Sequence, residues 1–203
     1  MSIQVKDVSH YYDPDYWILK DINLEFMPGQ ITSVFAPSGY GKSTLVHIMG
    51  GLMKPIQGHV YVDGQDIKAY KQFKPVQIIH QHPEKSINPR WKVGKILNEA
   101  WQVTPEIKEM MGIEDFWLQK WPNELSGGEL QRVCIARSLS DKVKYLITDE
   151  MTSMVDAITQ VELLKELQKL VKTRNLGLIF ISHDKELIHQ ISDQVIDLQK
   201  VNQ

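Results

Sequence analysis

One cysteine, Cys134, stands in a chain of 203 residues, which excludes an intramolecular disulfide and fits a reducing compartment. No apolar run approaches the roughly 18 residues of a membrane-spanning helix. Residues 1–15 also lack the apolar stretch of a signal peptide. Any service to a membrane is therefore expected from its cytoplasmic face, as a peripheral subunit. Charge of one sign is scarce too: 23 basic against 25 acidic residues leave −2. No basic excess marks nucleic acid as the partner. Repeats, low-complexity tracts and Pro/Gly-rich linkers are absent, so residues 1–203 read as a single domain around one sizeable core.

What is present is a change of periodicity along the chain. The first thirty residues read as β-structure, with Ile22, Leu24 and Phe26 alternating with Asn23 and Glu25. Residues 31–36 form an apolar strand that runs into a glycine-rich turn and then a helix. Residues 59–67 alternate again and turn at Asp63-Gly64, a hairpin signal. From Lys92, the apolar positions Val93, Ile96, Leu97, Ala100 and Trp101 follow the stripe of an amphipathic helix. A second short helix is expected with Thr104 as N-cap, Pro105 at its first position and Gly112 at its end. Beyond Arg132 the chain alternates: helix, strand 145–148, helix with Leu163, Leu167, Leu170 and Val171 on one stripe, and a last strand at 177–182. That strand is apolar on both faces, as in a covered parallel sheet. The fold class is α/β, with a short α-helical insertion at about 83–125.

Three segments carry chemistry. Ala36-Pro37-Ser38-Gly39-Tyr40-Gly41-Lys42-Ser43-Thr44 follows a strand and opens a helix, the context of a phosphate-binding loop. Its glycines let backbone N–H groups close around an anion, and the helix N-terminus adds a favourable dipole. Lys42 would reach the β- and γ-phosphates of ATP, and the Ser43 hydroxyl would ligate Mg²⁺. Ala36 stands where this motif usually starts with glycine, a position that accepts alanine at negative φ. The second segment, residues 145–150, is an apolar strand ending in Asp149-Glu150. Asp149 is assigned to the metal and Glu150 to the general base that polarises the attacking water. A strand ending in two acids is a weak signal alone and a strong one beside Lys42-Ser43. The third segment, residues 125–132, contains Ser126-Gly127-Gly128-Glu129, in which Ser126 and Glu129 form a capping box at a helix start.

Residues 125–132 resemble the LSGGQ-type signature of ABC ATPases, and the chain from about residue 3 to 198 is similar to that family throughout. The resemblance implies an α/β P-loop NTPase (RecA-like) parallel-sheet core, with an antiparallel β-subdomain and the helical insertion. It implies that Ser126, Gly127 and Gly128 address the γ-phosphate of ATP held by an opposing subunit. By the same resemblance Tyr12 stacks on adenine, with Tyr11 the poorer match, and Gln81 contacts Mg²⁺ and senses a transmembrane partner. Residues 153–156, with Asp156, resemble the loop that crosses the dimer interface, and His183 the switch histidine near the γ-phosphate. Met151 and Val155 replace the proline and leucine common in the family.

Residues 81–90 further resemble the Q-D-P-x-x-S-L-N-P-R segment of peptide and nickel importer ATPases, with His82 in place of aspartate. The partners this implies are a second ABC ATPase in a homodimer or heterodimer, integral membrane permease subunits and, indirectly, an extracellular solute-binding protein. The enzyme class implied is an ATPase coupled to translocation of peptides or nickel and metal chelates. A soluble ABC-type ATPase of a non-transport complex, such as a phosphonate-degradation or repair assembly, stays open as the alternative. Four tryptophans, Trp91, Trp101, Trp117 and Trp121, lie in or beside the insertion. Trp101 is expected in its core, and Trp91 as an aromatic anchor at an interface.

Overall fold

The computed structural model describes residues 2–149 and 157–202. The chain opens with β1 (Ile3–Asp13) and β2 (Tyr16–Phe26), then β3 (Ile31–Phe35), α1 (Lys42–Met49), β4 (Gln57–Val62), β5 (Gln65–Asp66) and β6 (Val76–Ile79). Two short helices, α2 (Val93–Leu97) and α3 (Pro105–Met110), lead through 3-10 turns to α4 (Gly127–Arg137). The remainder is β7 (Tyr145–Asp149), α5 (Ala157–Arg174), β8 (Gly177–Ile181), α6 (Lys185–Ile191), β9 (Gln194–Asp197) and α7 (Leu198–Val201).

Five strands form a parallel sheet in the order β6-β7-β8-β3-β9, and four form an antiparallel sheet in the order β2-β1-β4-β5. The β4–β5 hairpin turns where the sequence marks it. Asp63 and Gly64 both take positive φ, 52° and 82°, the geometry that suits a two-residue connection between right-twisted strands.

The two-residue period of the central strands separates two apolar layers. Tyr145 and Ile147 of β7, with Ile179 and Ile181 of β8, face a layer shared with α1 and the antiparallel sheet, which contributes Ile3, Leu19 and Phe26. Leu146, Leu178 and Phe180 face the opposite layer, built with Val133 and Ile135 of α4, Leu163 and Leu167 of α5, and Ile96 and Trp117 of the insertion. A sheet covered on both faces favours apolar residues at successive positions, which is why 177–181 reads as an unbroken apolar run, while Thr32, Ser33 and Thr148 are buried polar exceptions in the same sheet. The stripe on α5 is buried as expected, and Thr104 caps α3 by accepting from the Ile107 N–H, with Gly112 beyond its end at φ 59°.

Two expectations are corrected. The stripe from Lys92 does not continue to Trp101, because α2 ends at Leu97. The Asn98 side chain terminates it, donating to the Gly94 carbonyl at 3.0 Å and accepting from the Val103 N–H at 2.9 Å. Asparagine competes with helical hydrogen bonds in this way, so Ala100 is exposed although it falls on the apolar stripe. Trp101 does pack against the core, and its Nε1–H donates to the Arg137 carbonyl at 2.8 Å. Second, the strand at 177–181 is not the last. β9 follows it as the edge partner of β3, pairing Val34 with Ile196. Only Ile196 of its four residues is fully buried, so it carries little apolar signal.

Candidate functional site

Parallel strands deliver their C-terminal ends to one edge of a sheet, the usual place for a ligand crevice in open α/β folds. Here Ile181 of β8 is paired on one side with Asp149 of β7 and on the other with Val34 of β3. Ile79 of β6 lies beside Thr148. The loop after β3, the carboxylate ending β7 and the segment after β6 therefore emerge side by side. They enclose a cleft of about 370 Å³ lined by Tyr12, Ile18, Ser38, Gly39, Gly41, Lys42, Ser43, Thr44, Gln81 and Asp149.

The loop conformation follows from its glycines. Gly39 and Gly41 take φ of 84° and 82°, a region L-residues avoid. Gly41 is doubly constrained, since a Cβ there would stand 2.8 Å from Leu19 Cδ2 and 2.9 Å from the Ile18 carbonyl. Gly41 is also the N-cap of α1 and offers no capping side chain, so the first N–H groups of α1 are left for an anion. Ala36 is fully buried and has no positive φ, as its tolerance in this position requires.

Lys42 is buried, and its ammonium donates to the carbonyls of Ala36 at 2.8 Å and Pro37 at 2.9 Å. Tyr12 is 66% exposed at the mouth of the cleft. Its hydroxyl shares a hydrogen bond with Thr44 Oγ1 at 3.1 Å, and its ring stands edge-on to His10 with centroids 5.1 Å apart. Tyr11 instead packs edge-on against Trp17 and does not line the cleft. Tyr40 is exposed, and its hydroxyl accepts from Gln199 Nε2 at 3.4 Å. Ser43, Gln81 and Asp149 bring a hydroxyl, an amide and a carboxylate to the same cleft, the hard oxygen donors that suit Mg²⁺. Beside them, burial first and then the neighbouring charge of His47 hold the His80 imidazole below the usual histidine range, against the pull of Asp149.

Not every candidate residue gathers here. Ser126, Gly127 and Gly128 begin α4 away from the cleft, with Ser126 and Gly127 exposed. The capping box is present in both directions: Ser126 Oγ accepts from the Glu129 N–H at 3.2 Å, and Glu129 Oε2 accepts from the Ser126 N–H at 2.7 Å. The turn is thereby a rigid platform facing outward. His183 is exposed two residues beyond β8 and is not among the residues lining the cleft. Glu150, Met151, Val155 and Asp156, with the loop at 153–156, lie outside the described residues.

Ile18 was not expected. It lines the cleft beside Tyr12 because β2 runs antiparallel to β1, with Trp17 of β2 registered opposite Tyr11. Nothing local in the sequence links position 18 to the loop at 36–44; the contact exists only through strand pairing.

Known proteins match this chain over most of its length. The profile of the family described as ABC transporter matches residues 19–153. The oligopeptide transport ATP-binding protein OppF of Haemophilus influenzae is 34% identical over 197 residues, which cover 88% of this chain and 59% of OppF. The nickel import ATP-binding protein NikE of Escherichia coli is 31% identical over 222 residues, covering 96% of this chain and 82% of NikE. Thus the chain spans about three fifths of the first relative and four fifths of the second. Among solved structures, the post-hydrolysis dimer of the ATP-binding cassette MJ0796 with ADP and Pi superposes with a TM-score of 0.81. It is 25% identical, and the match covers 96% of this chain and 93% of that one.

Proposed function

The chain belongs to the ABC transporter family, and from that premise we propose that it is the ATP-hydrolysing subunit of an importer for peptides or nickel and metal chelates. The observation that carries this reading is the convergence of Lys42, Ser43, Gln81 and Asp149 on one cleft at the C-terminal edge of the parallel sheet. Phosphoryl transfer to water demands mainly positioning and charge stabilisation. The loop at 36–44 supplies both: its N–H groups and Lys42 hold the β- and γ-phosphates. Tyr12, with Ile18 beside it, receives the base. Ser43, Gln81 and Asp149 would hold Mg²⁺, which when bound offsets the charge that develops on the phosphate oxygens. Glu150 is proposed to orient and deprotonate the attacking water, and His183 to support the γ-phosphate.

The outward-facing Ser126-Gly127-Gly128 turn is read as the lid of another chain's site. A nucleotide in the cleft is not covered by the turn of its own chain, so a second copy or a related ATPase completes the enclosure, with Asp156 at the crossing. The γ-phosphate bridges the two halves, and its loss on hydrolysis releases them. Among the described residues no helix is long and apolar enough to cross a membrane. The partners proposed, on the likeness to transporter subunits, are integral permease subunits at the cytoplasmic face, fed from outside by a solute-binding protein. Support for the importer assignment comes from the likeness to OppF and NikE, whose names specify oligopeptide transport and nickel import.

Phosphate release by the purified chain tests the enzymatic half directly. Mg²⁺-dependent hydrolysis at millimolar ATP is expected, and its absence with and without a partner ATPase would remove the reading. Co-purification of the tagged chain with integral membrane subunits tests the transport half.

A further inference from the structure

A side-chain amide offers the same donor and acceptor as a peptide group, and Asn202 uses both on the edge of β2. Among the described strands, the order β2-β1-β4-β5 leaves one side of β2 unpaired. There the Asn202 Oδ1 accepts from the Lys20 N–H at 2.8 Å, and its Nδ2 donates to the Ile18 carbonyl at 2.8 Å. A neighbouring antiparallel strand would make the same two kinds of bond. The pair brackets Leu19, whose fully buried side chain packs beside Gly41.

The asparagine is itself held. β9 pairs with β3, with Asp197 registered opposite Phe35, and α7 follows at once with Leu198 fully buried. Asp197 accepts from the Gln199 N–H at 3.1 Å, and the Asn202 N–H donates to the Leu198 carbonyl at 2.9 Å. The same helix touches the phosphate loop, where Gln199 donates to the Tyr40 hydroxyl. A short path, bonded at each step, thus runs from the strand that feeds the phosphate loop to the edge of β2.

We propose that Asn202 is a positioning residue for the nucleotide: it fixes Ile18 at the wall of the cleft and so raises affinity for the nucleoside half of ATP. The inference rests on the proposed ATPase function. Ile18 and Tyr12 line the cleft together, and a wall held in place before binding costs less ordering than one drawn in by the ligand. Without Asn202, the Ile18 carbonyl and the Lys20 N–H turn to water, and the edge of β2 loosens where it borders the cleft. The phosphate loop has its own supports in the junction with α1 and the Lys42 bonds to Ala36 and Pro37. The two halves of the ligand therefore respond differently to residue 202.

Calorimetric titration of the full chain with MgATP and, separately, with magnesium tripolyphosphate separates these halves. Asn202→Ala should weaken MgATP by about three- to tenfold, the loss expected for a hydrogen bond of ordinary strength. Its affinity for tripolyphosphate should match that of the native chain. Asn202→Asp keeps the acceptor but sets a carboxylate against the Ile18 carbonyl, so it should not restore MgATP binding. Asn202→Gln keeps both groups on a longer arm and should recover part of the loss. Lys200→Ala, exposed on the same helix, should change neither titration.

Native MgATP affinity in Asn202→Ala, even with a lowered Tm, would overturn the proposal and leave a clasp of purely structural role. Equal weakening of both ligands would overturn it as well, since the whole cleft would then be disturbed. A native chain that ignores MgATP would instead remove the function on which the proposal rests, and the proposal with it.

Discussion

The Lys42 ammonium stands 2.8 Å from the Ala36 carbonyl and 2.9 Å from that of Pro37, so the phosphate loop binds its own lysine. A buried ammonium needs such partners. Terminal phosphates would replace two neutral carbonyls with charged oxygens, and charge-assisted hydrogen bonds are about twice as strong. Removing the ammonium forfeits roughly 1.5–3 kcal/mol. Lys42→Ala should therefore weaken MgATP binding by roughly ten- to hundredfold, read by titration with a fluorescent nucleotide. Unchanged affinity would show that the lysine does not turn to the ligand.

Gly39 and Gly41 share a left-handed backbone but differ in surroundings. A methyl on Gly39 meets nothing within 4 Å, while one on Gly41 meets Leu19 Cδ2 and the Ile18 carbonyl below 3 Å. Gly39→Ala should cost only the conformational penalty, about 1–2 kcal/mol. Gly41→Ala should cost more, and should displace the loop from β2. Urea unfolding of the two variants compares them, and equal losses would mean that β2 yields freely.

Ser126 and Glu129 bind each other's backbone, so the turn offered to a second chain is also a helix cap. Ser126→Ala should lose about 1 kcal/mol of stability, a drop of about 2–4 °C in Tm for a chain of this size. MgATP-driven association should fall as well. If association survived intact while Tm dropped, the turn would be structural only.

Glu150→Gln should bind MgATP and accumulate as a dimer on size exclusion while phosphate release nearly stops. A variant that hydrolyses ATP at the native rate would place the base at another residue.

Cys134 is buried, and burial pushes its thiol above the usual range, outweighing the opposing influences of Arg137 and of the Ser86 hydrogen bond. Thiolate is the reactive form. Iodoacetamide at mildly alkaline pH should therefore leave the folded chain unmodified and label it promptly in denaturant, by mass spectrometry. Prompt labelling of the folded chain would show that the α4 layer opens.

Much of this protein was already decided by local sequence. Gly39 and Gly41 around Lys42, the Asp63-Gly64 hairpin, the Ser126–Glu129 cap and the Thr104-Pro105 helix start depend on bonds and dihedrals within a few residues, and all four hold in the structure. The apolar run at 177–182, read as buried on both faces, likewise announced a covered parallel sheet. Tertiary structure decided what depends on distant partners. Asn98 stops α2 by bonding Gly94 and Val103, β9 joins β3 without much apolar signal, and Ile18 reaches the cleft only through its pairing with β1. His47 meets His80 by the same route, since α1 and the segment after β6 come together only when the sheet forms. Short-range steric and hydrogen-bond rules are written in consecutive residues, whereas such contacts are set by strand order and register, which no window of neighbouring residues contains.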